Sequence, residues 1–532
     1  MVSSTSHSFT EDVEMEPALE RLAFKNRTNR CDGEKPKPLP QDKKRPANED
    51  NKSSRKRVRL TASAETKPTS EEEEEDDVVL LSGSSSRRWS MFAMRNTATS
   101  YSPFAYSRLP QMSTDALLRS FVSSNKSDVY KCHSVDATTF MTLPYACAYS
   151  HRAKQGGRSL LAVSTEQGTV HVLDTKKRND WDVEPQRTVF QPYANGIFDV
   201  QWSPSDTQIA TAAAGSSIQV STLDASACDA KTVRTLHGHS GTVKCLAWDP
   251  RTDGSILCSG GRDGAICLWD LRQDTDNPVI TIPDAHEDTS KGARPRPRKG
   301  KIPVAAQRSI TSVLYTECDP YGVTTAGSLD GILRHWDFRV PKKPGRKPRI
   351  QSTHSSLIDP TVYQGTHRAR GITSLTPGSG PTAGLLFALG HDSRIHTYDL
   401  SSLVPLSGNT TNAENDTYSF SHPNMRNTSF YVRTSLSPCG RWLASGGAEN
   451  GSVYLYDVSN AGRVQAGPGV RAVELKGQKG EVGAVDWAEN MMASCADDGT
   501  VRIWRPDISV YRQCQEDPEE MKWSWSWATD DS

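Results

Sequence analysis

One phrase recurs along this chain from about residue 140 onward, and it restricts the possible folds more than any other feature. It consists of an alternating apolar strand, a short turn containing glycine, and a second alternating strand closing on an aromatic residue or leucine, usually followed by aspartate. The clearest copies are LCSGGRDGAICLWDLR (257–272) and ASCADDGTVRIWRPD (493–507). Weaker ones read LAVSTEQGTVHVLDT, IATAAAGSSIQVSTLD, TTAGSLDGILRHWDFR, FALGHDSRIHTYDL and LASGGAENGSVYLYDV. Successive side chains of a strand point to opposite faces, so this alternation marks half-buried strands. The copies close at Leu173, Ser221, Trp269, Trp336, Tyr398, Tyr456 and Trp504, at intervals from 48 (Leu173 to Ser221) to 67 (Trp269 to Trp336). A four-stranded unit of ~40–45 residues fits these intervals if the excess lies in loops. Further strand-like runs, IFDVQW, VKCLAW, ITSVLY and GAVDW, precede the copies and supply the additional strands. One such unit cannot bury its apolar faces alone, whereas seven stacked radially can. The expected fold class is all-β, a seven-bladed β-propeller over 140–510.

Composition narrows the function classes. With 63 basic and 63 acidic residues the formal net charge is zero, so no global field would draw the chain to nucleic acid or an anionic membrane. No apolar run approaches the roughly 18 residues needed to span a bilayer, and the segment MVSSTSHSFTEDVEMEPALE is too polar for a secretory signal. A soluble intracellular protein is expected. The cysteines, scattered from Cys31 to Cys514 without a CxxC pair, read as reduced and structural.

Residues 1–100 are rich in Ser, Lys, Glu, Pro and Asn and read as a disordered tail. Within them Lys43, Lys44 and Arg45 are separated by nine residues from Arg55, Lys56, Arg57 and Arg59, a bipartite nuclear-localisation pattern whose alternative is a solvated charge run. An acidic block, Glu71 to Asp77, runs into Val78-Val79-Leu80-Leu81; this resembles a SUMO-interacting strand, with an acidic linker as the plainer reading. Residues 101–139 form a lead-in able to contribute a blade-closing strand. Residues 511–532 read as a short C-terminal tail.

Two sets of residues carry the candidate sites. His239, Ser259, Asp263 and Trp269 match the hydrogen-bonding set that ties WD40 strands together. Ser, His and Asp also form hydrolase triads. Here the serine falls within a strand, and Asp263 belongs to an Asp-Gly turn that recurs at Asp330-Gly331 and Asp498-Gly499. A catalytic group would occur once, so the set is structural. With no HExxH, GxGxxG, P-loop or Cys/His metal pattern, no enzyme, cofactor or small-molecule substrate is expected. The second set is Trp269-Asp270-Leu271-Arg272 and Trp336-Asp337-Phe338-Arg339, two WDxR boxes on consecutive blades. Each places an arginine just past a strand end on the lower rim, where a guanidinium offers several donors to a partner's carboxylates or carbonyls.

These paired boxes resemble those of receptors that dock on the propeller adaptor of cullin-4 RING ubiquitin ligases. Together with LLAVSTEQGTVHVLDT, GIFDVQWSP, CSGGRDGAICLWDLR, the Ala285-His286 loop with its basic stretch, SLDGILRHWDFR and NTSFYVRTSLSPCGRWLASGG, they resemble the denticleless (DTL) family over roughly 140–507. The resemblance implies a nuclear substrate receptor for proteins whose degron is loaded on chromatin-bound PCNA. It implies roles in DNA replication, cell-cycle control and the DNA damage response. Unlike the animal members, the chain is expected to carry a long N-terminal tail and to lack their extended C-terminal region. It also has no Q-x-x-[ILM]-x-x-aromatic-aromatic motif of its own for PCNA.

Three further features are left outside that resemblance. Lys291, Arg294, Arg296, Arg298, Lys299 and Lys301, expected on the upper rim between blades three and four, read equally as a phosphate or PCNA contact and as a solvated loop. A second cluster, Lys342, Lys343, Arg346, Lys347 and Arg349, follows the second WDxR box. Trp523, Trp525 and Trp527 alternate, and either close the last blade or anchor a partner. Against the ligase receptor stands a WD40 scaffold outside ubiquitination, such as a histone-binding or ribosome-assembly platform.

Overall fold

The computed structural model describes residues 114–528 except 138, 180–181, 225–228, 288–307, 317–318, 340–349, 351, 363–367, 408–415, 463–471 and 525. The expectations for the 1–100 tail, its basic clusters and the 78–81 stretch lie outside these residues, as do those for the two basic loops. Among the described residues the chain forms seven antiparallel sheets. Each is a blade with strands A to D from axis to rim. The A strands are Pro144–Tyr149, Ile197–Trp202, Val243–Trp248, Ile310–Tyr315, Ile372–Pro377, Thr434–Leu436 and Val482–Trp487. Each packs against the A strand of the next blade, and the seventh against the first, so the ring closes around a central channel.

The residues that end each copy of the repeat, from Leu173 to Trp504, all lie on C strands and are all buried. Apolar clusters fill the spaces between sheets; one joins Trp202 and Ile209 of blade 2 to Ala146 and Val170 of blade 1. The sequence repeat and the blade are offset. Blade 7 takes its A, B and C strands from 482–506, and its outer partner comes from the other end of the fold: Phe121–Val122 and Val129–Lys131 pair with Thr500–Pro506. This pairing ties the two ends of the array together. Tyr130 and Cys132, both fully buried, seal the seam against blades 7 and 1.

The C-terminal segment is packed rather than free. Helices Ile508–Glu516 and Pro518–Ser524 lead to Trp527–Ala528, which adds a fifth strand to blade 6 by pairing with Leu475 and Lys476. Trp527 is buried against Tyr511 at 6.4 Å between ring centroids. The rim of blade 6 is covered in this way, which removes an exposed strand edge.

Strand order assigns every turn to a face. A and C strands run downward, so the D–A and B–C connections lie on the upper face and the A–B and C–D turns on the lower one. A register irregularity recurs near the upper end of the A strand in blades 1, 2, 3, 4, 5 and 7, leaving Tyr145, Phe198, Lys244, Thr311, Thr373 and Gly483 as extra residues. A bulge locally re-aims its side chain. Here it is built into the repeat at the mouth of the channel.

Candidate functional site

Three regions carry polar chemistry: the network inside the blades, the lower rim and the upper mouth. In blade 3 the His239 Nε2–Ser259 Oγ distance is 2.8 Å, the Trp269 Nε1–H donates to the same oxygen at 2.9 Å, and His239 Nδ1 lies 3.1 Å from the Asp263 carboxylate. The four sequence-predicted residues therefore meet as one buried network joining the B and C strands to the B–C turn and the loop that enters the blade. Burial opposes charge on His239, but hydrogen bonding to Asp263 outweighs it and lifts the imidazole from 6.5 to about 9.

Other blades vary the scheme. In blade 4, Thr325 Oγ1 takes the place of the serine, 3.0 Å from His286 Nε2 and accepting from Trp336 Nε1 at 2.9 Å. There Arg308, not the histidine, pairs with Asp330. Burial and the nearby Arg334 and Arg308 charges push His286 down to about 3. In blade 7, Gln478 stands in for histidine, accepting from Ser494, which in turn accepts from Trp504 at 2.8 Å. The repetition with changing partners marks these as strand ties.

On the lower rim, the aspartate that follows the C strand's closing residue caps its own turn. Asp174, Asp270, Asp337 and Asp457 each accept the backbone N–H two residues on, at 3.2, 3.1, 2.8 and 2.9 Å. Only in blades 3 and 4 is that second residue arginine. Arg272 donates Nε and Nη2 to the two oxygens of Asp270, each at 2.8 Å. Arg339 does the same to Asp337 at 3.0 and 2.6 Å, and its guanidinium lies 4.8 Å from the centre of the Tyr321 ring.

This modifies the expectation from sequence, because the two-pronged edge of each guanidinium is already spent on its own aspartate. The Nη1 edge remains for a partner. Both side chains are well exposed, 65% for Arg272 and 60% for Arg339, so the boxes are presented ready-formed on adjacent blades of one face. The arginines hold Asp270 and Asp337 below the usual carboxylate range, which keeps the pairs ionised. Beside Arg272 a recess of about 750 Å³ opens between the lower edges of blades 2 and 3, lined by Gln208, Asp253, Leu271 and Gln273. Arg234 steadies its wall by donating to the Leu271 carbonyl at 3.2 Å.

The upper mouth escaped sequence reasoning. Tyr145 stacks on Phe198 at 5.5 Å and lies 5.2 Å from Tyr431, while Phe430 contacts Phe198 at 5.1 Å and carries Lys244 Nζ 4.0 Å above its ring. Three of these are bulge residues. Below them Arg433 of blade 6 crosses the channel to the Lys244 carbonyl at 3.0 Å, with Asp199 of blade 2 at 3.7 Å. The shared position in PYACAY, IFDVQW and VKCLAW was the available signal, but a repeat does not by itself say that its second residue is bulged.

Comparisons with known proteins agree with this architecture. The WD domain, G-beta repeat family matches residues 230–270, 421–457 and 469–505. All three matched stretches end on C strands, and the first begins on the outer strand of the preceding blade, reproducing the offset between repeat and blade. The chain is similar to Denticleless protein homolog A of Xenopus laevis, 28% identical over 397 residues, 71% of this chain and 50% of the relative. It is equally similar to the Denticleless protein homolog of Homo sapiens, 28% over 379 residues, 68% and 46%. Protein lethal(2)denticleless of Drosophila melanogaster is 26% identical over 375 residues, 66% and 44%. The chain spans about half the length of the curated relatives it matches.

Proposed function

From the premise that the chain belongs to the denticleless family of WD-repeat proteins, we propose that it is a non-enzymatic substrate receptor of a nuclear cullin-4 RING ubiquitin ligase. The lower face docks on the ligase's propeller adaptor. The opposite face receives proteins that carry a degron on chromatin-bound PCNA, and their ubiquitination and degradation link the protein to DNA replication, cell-cycle control and the DNA damage response. One observation carries the reading beyond family resemblance: Arg272 and Arg339 repeat a single geometry on consecutive blades, exposed and braced by Asp270 and Asp337. In blade 6 the same Asx turn forms with Ser459 at this position, so a charged group there in blades 3 and 4 is not required by the fold. It suits recognition by a partner.

Affinity purification of the full chain with mass spectrometry tests the reading. Co-purification of cullin-4 and its adaptor is expected; recovery of histones or ribosome-assembly factors alone would replace the ligase with another scaffold role. Degron capture by purified protein with adaptor is expected to require PCNA. Equal binding of an isolated degron peptide with and without PCNA would remove the composite substrate surface.

A further inference from the structure

The two arginine boxes of the lower rim are alike in charge and unlike in shape. In blades 1, 3, 4, 5 and 6 the residue after the C strand's aspartate donates its N–H to the carbonyl of the residue that precedes the B strand, in turn Ser159, Ser255, Tyr321, Gly384 and Arg441. Tyr321 therefore stands where blade 3 has Ser255, and among these five it is the one aromatic side chain. Ser255 borders the recess of about 750 Å³ that Arg272, Leu271 and the exposed Val233 of blade 2 also line. In blade 4 a ring stands at that position: the Arg339 guanidinium lies 4.8 Å from its centre, and the tyrosine is still 53% exposed. One box adjoins a hollow and the other a knob.

The knob is held firmly. The Tyr321 N–H donates to Asp319 Oδ1 at 2.9 Å, and the other oxygen of Asp319 lies 3.2 Å from His335 Nε2 on the C strand. From blade 3, Arg251 reaches across to donate to the carbonyls of Thr316 and Asp319 at 2.7 and 3.3 Å. A Cβ at residue 322 would collide with the His335 ring and with Asp319, so only glycine leaves room for their pairing. The turn that carries Tyr321 is thus anchored to both blades that bear a box.

A partner that offers two acceptor sites to two equal cations gains the same attraction whichever site meets whichever arginine, so charge alone does not fix its orientation. A difference in shape does, because the reversed arrangement would press the partner's protrusion against the ring and leave the hollow unfilled. Aromatic side chains and arginine are also the ones that most often dominate interface energies.

We propose that Tyr321 and the recess beside Ser255 are the specificity-determining features of the lower face. Tyr321 packs against an apolar surface of the partner next to Arg339, and the recess takes a protruding side chain next to Arg272, so the partner lies across the two boxes in one direction only. Asp319, with Arg251 and His335 upon it, is the positioning residue that keeps the ring in place. The inference rests on the reading that the partner is the propeller adaptor of a cullin-4 ligase.

The test is the affinity of purified adaptor for the immobilised full chain. Tyr321→Ser should weaken binding roughly tenfold, and Tyr321→Phe, which keeps the ring, should restore it. Ser255→Tyr gives blade 3 the residue that blade 4 carries at the same backbone position; it should fill the recess and weaken binding about tenfold with both arginines intact. Asp319→Ala should weaken binding too, and should add little to Tyr321→Ser, since both act through one ring. Unfolding midpoints shared with the wild type separate the losses in Tyr321→Ser and Ser255→Tyr from misfolding. Wild-type affinity in either of those variants, or additive losses from Asp319→Ala and Tyr321→Ser, overturns the proposal while the docking reading stands, provided the Arg272→Ala, Arg339→Ala protein has lost the adaptor. If the wild type does not bind adaptor, or the arginine variant binds it equally well, the docking reading falls and this inference with it.

Discussion

Arg272 folds back on the aspartate two residues before it, with Nε and Nη2 each 2.8 Å from an Asp270 oxygen, so the guanidinium leaves the rim in one orientation with its Nη1 edge outward. The arrangement returns one blade further on in Arg339 and Asp337. A partner spanning two blades meets two cations held rigidly at a repeat distance, which lowers the conformational cost of binding.

Replacing both arginines with alanine should leave the urea unfolding midpoint almost unchanged, because the side chains are exposed and surface ion pairs add little. Binding to the cullin-4 adaptor should weaken more than tenfold. Lysine at both positions should fail similarly, since an ammonium cannot keep the two-point pairing that orients the group. Wild-type recovery of adaptor by either double variant would reduce the boxes to ordinary rim turns.

The His239 network makes a prediction about pH. Its folded pKa, about 9, lies above the ordinary 6.5, so the folded state binds the proton more tightly. The stability this adds is fully present below pH 6.5 and is lost as pH rises through about 9. His239→Gln should remove that contribution while keeping a bond to Ser259, as Gln478 does with Ser494 in blade 7. Unfolding midpoints measured from pH 6 to 10 should converge between wild type and variant at the alkaline end. A constant difference would show that the imidazole is not charged in the fold.

His286 should behave in the opposite sense. Its folded pKa, about 3, lies below 6.5, so the neutral ring is favoured and the associated stability, complete above pH 6.5, declines as pH falls toward 3. His286→Gln should flatten the acid limb of the stability profile over that window. An unchanged limb would assign acid sensitivity elsewhere.

Truncation separates the tail from the ring. Removing residues 1–100 should leave a cooperatively folding propeller but reduce nuclear accumulation, as read by fractionation or imaging. Removing residues 1–132 should instead strip Phe121–Val122 and Val129–Lys131 from blade 7 and expose the edge of Thr500–Pro506. That protein should unfold early and aggregate. Normal import of the shorter deletion would withdraw the localisation signal, and a stable monomer from the longer one would contradict the closure.

Trp527→Ala removes the buried ring that pins the fifth strand of blade 6 to Tyr511. A loss of about 3 kcal/mol is expected from denaturant unfolding, in line with large-to-small changes in a core. Selective hydrogen exchange at Leu475 and Lys476 should accompany it. Unchanged protection there would mean the C-terminal strand contributes no edge cover.

The repeat was legible in the sequence because strand periodicity and turn chemistry are local: the residues from Leu173 to Trp504 marked every C strand, and His239, Ser259, Asp263 and Trp269 could be joined by the pattern alone. The paired WDxR boxes were legible for the same reason, since Asp270 and Arg272 are two residues apart. Which edge of the arginine stays free was not, because that depends on rotamers set by the turn. Ring closure, too, was decided by tertiary structure, as Tyr130 meets Val501 across the whole length of the array. So was the upper mouth. Tyr145, Phe198, Tyr431 and Glu481 belong to four different blades, and only the closed ring brings side chains so distant in sequence together, with a bulge setting Tyr145 and Phe198 side by side.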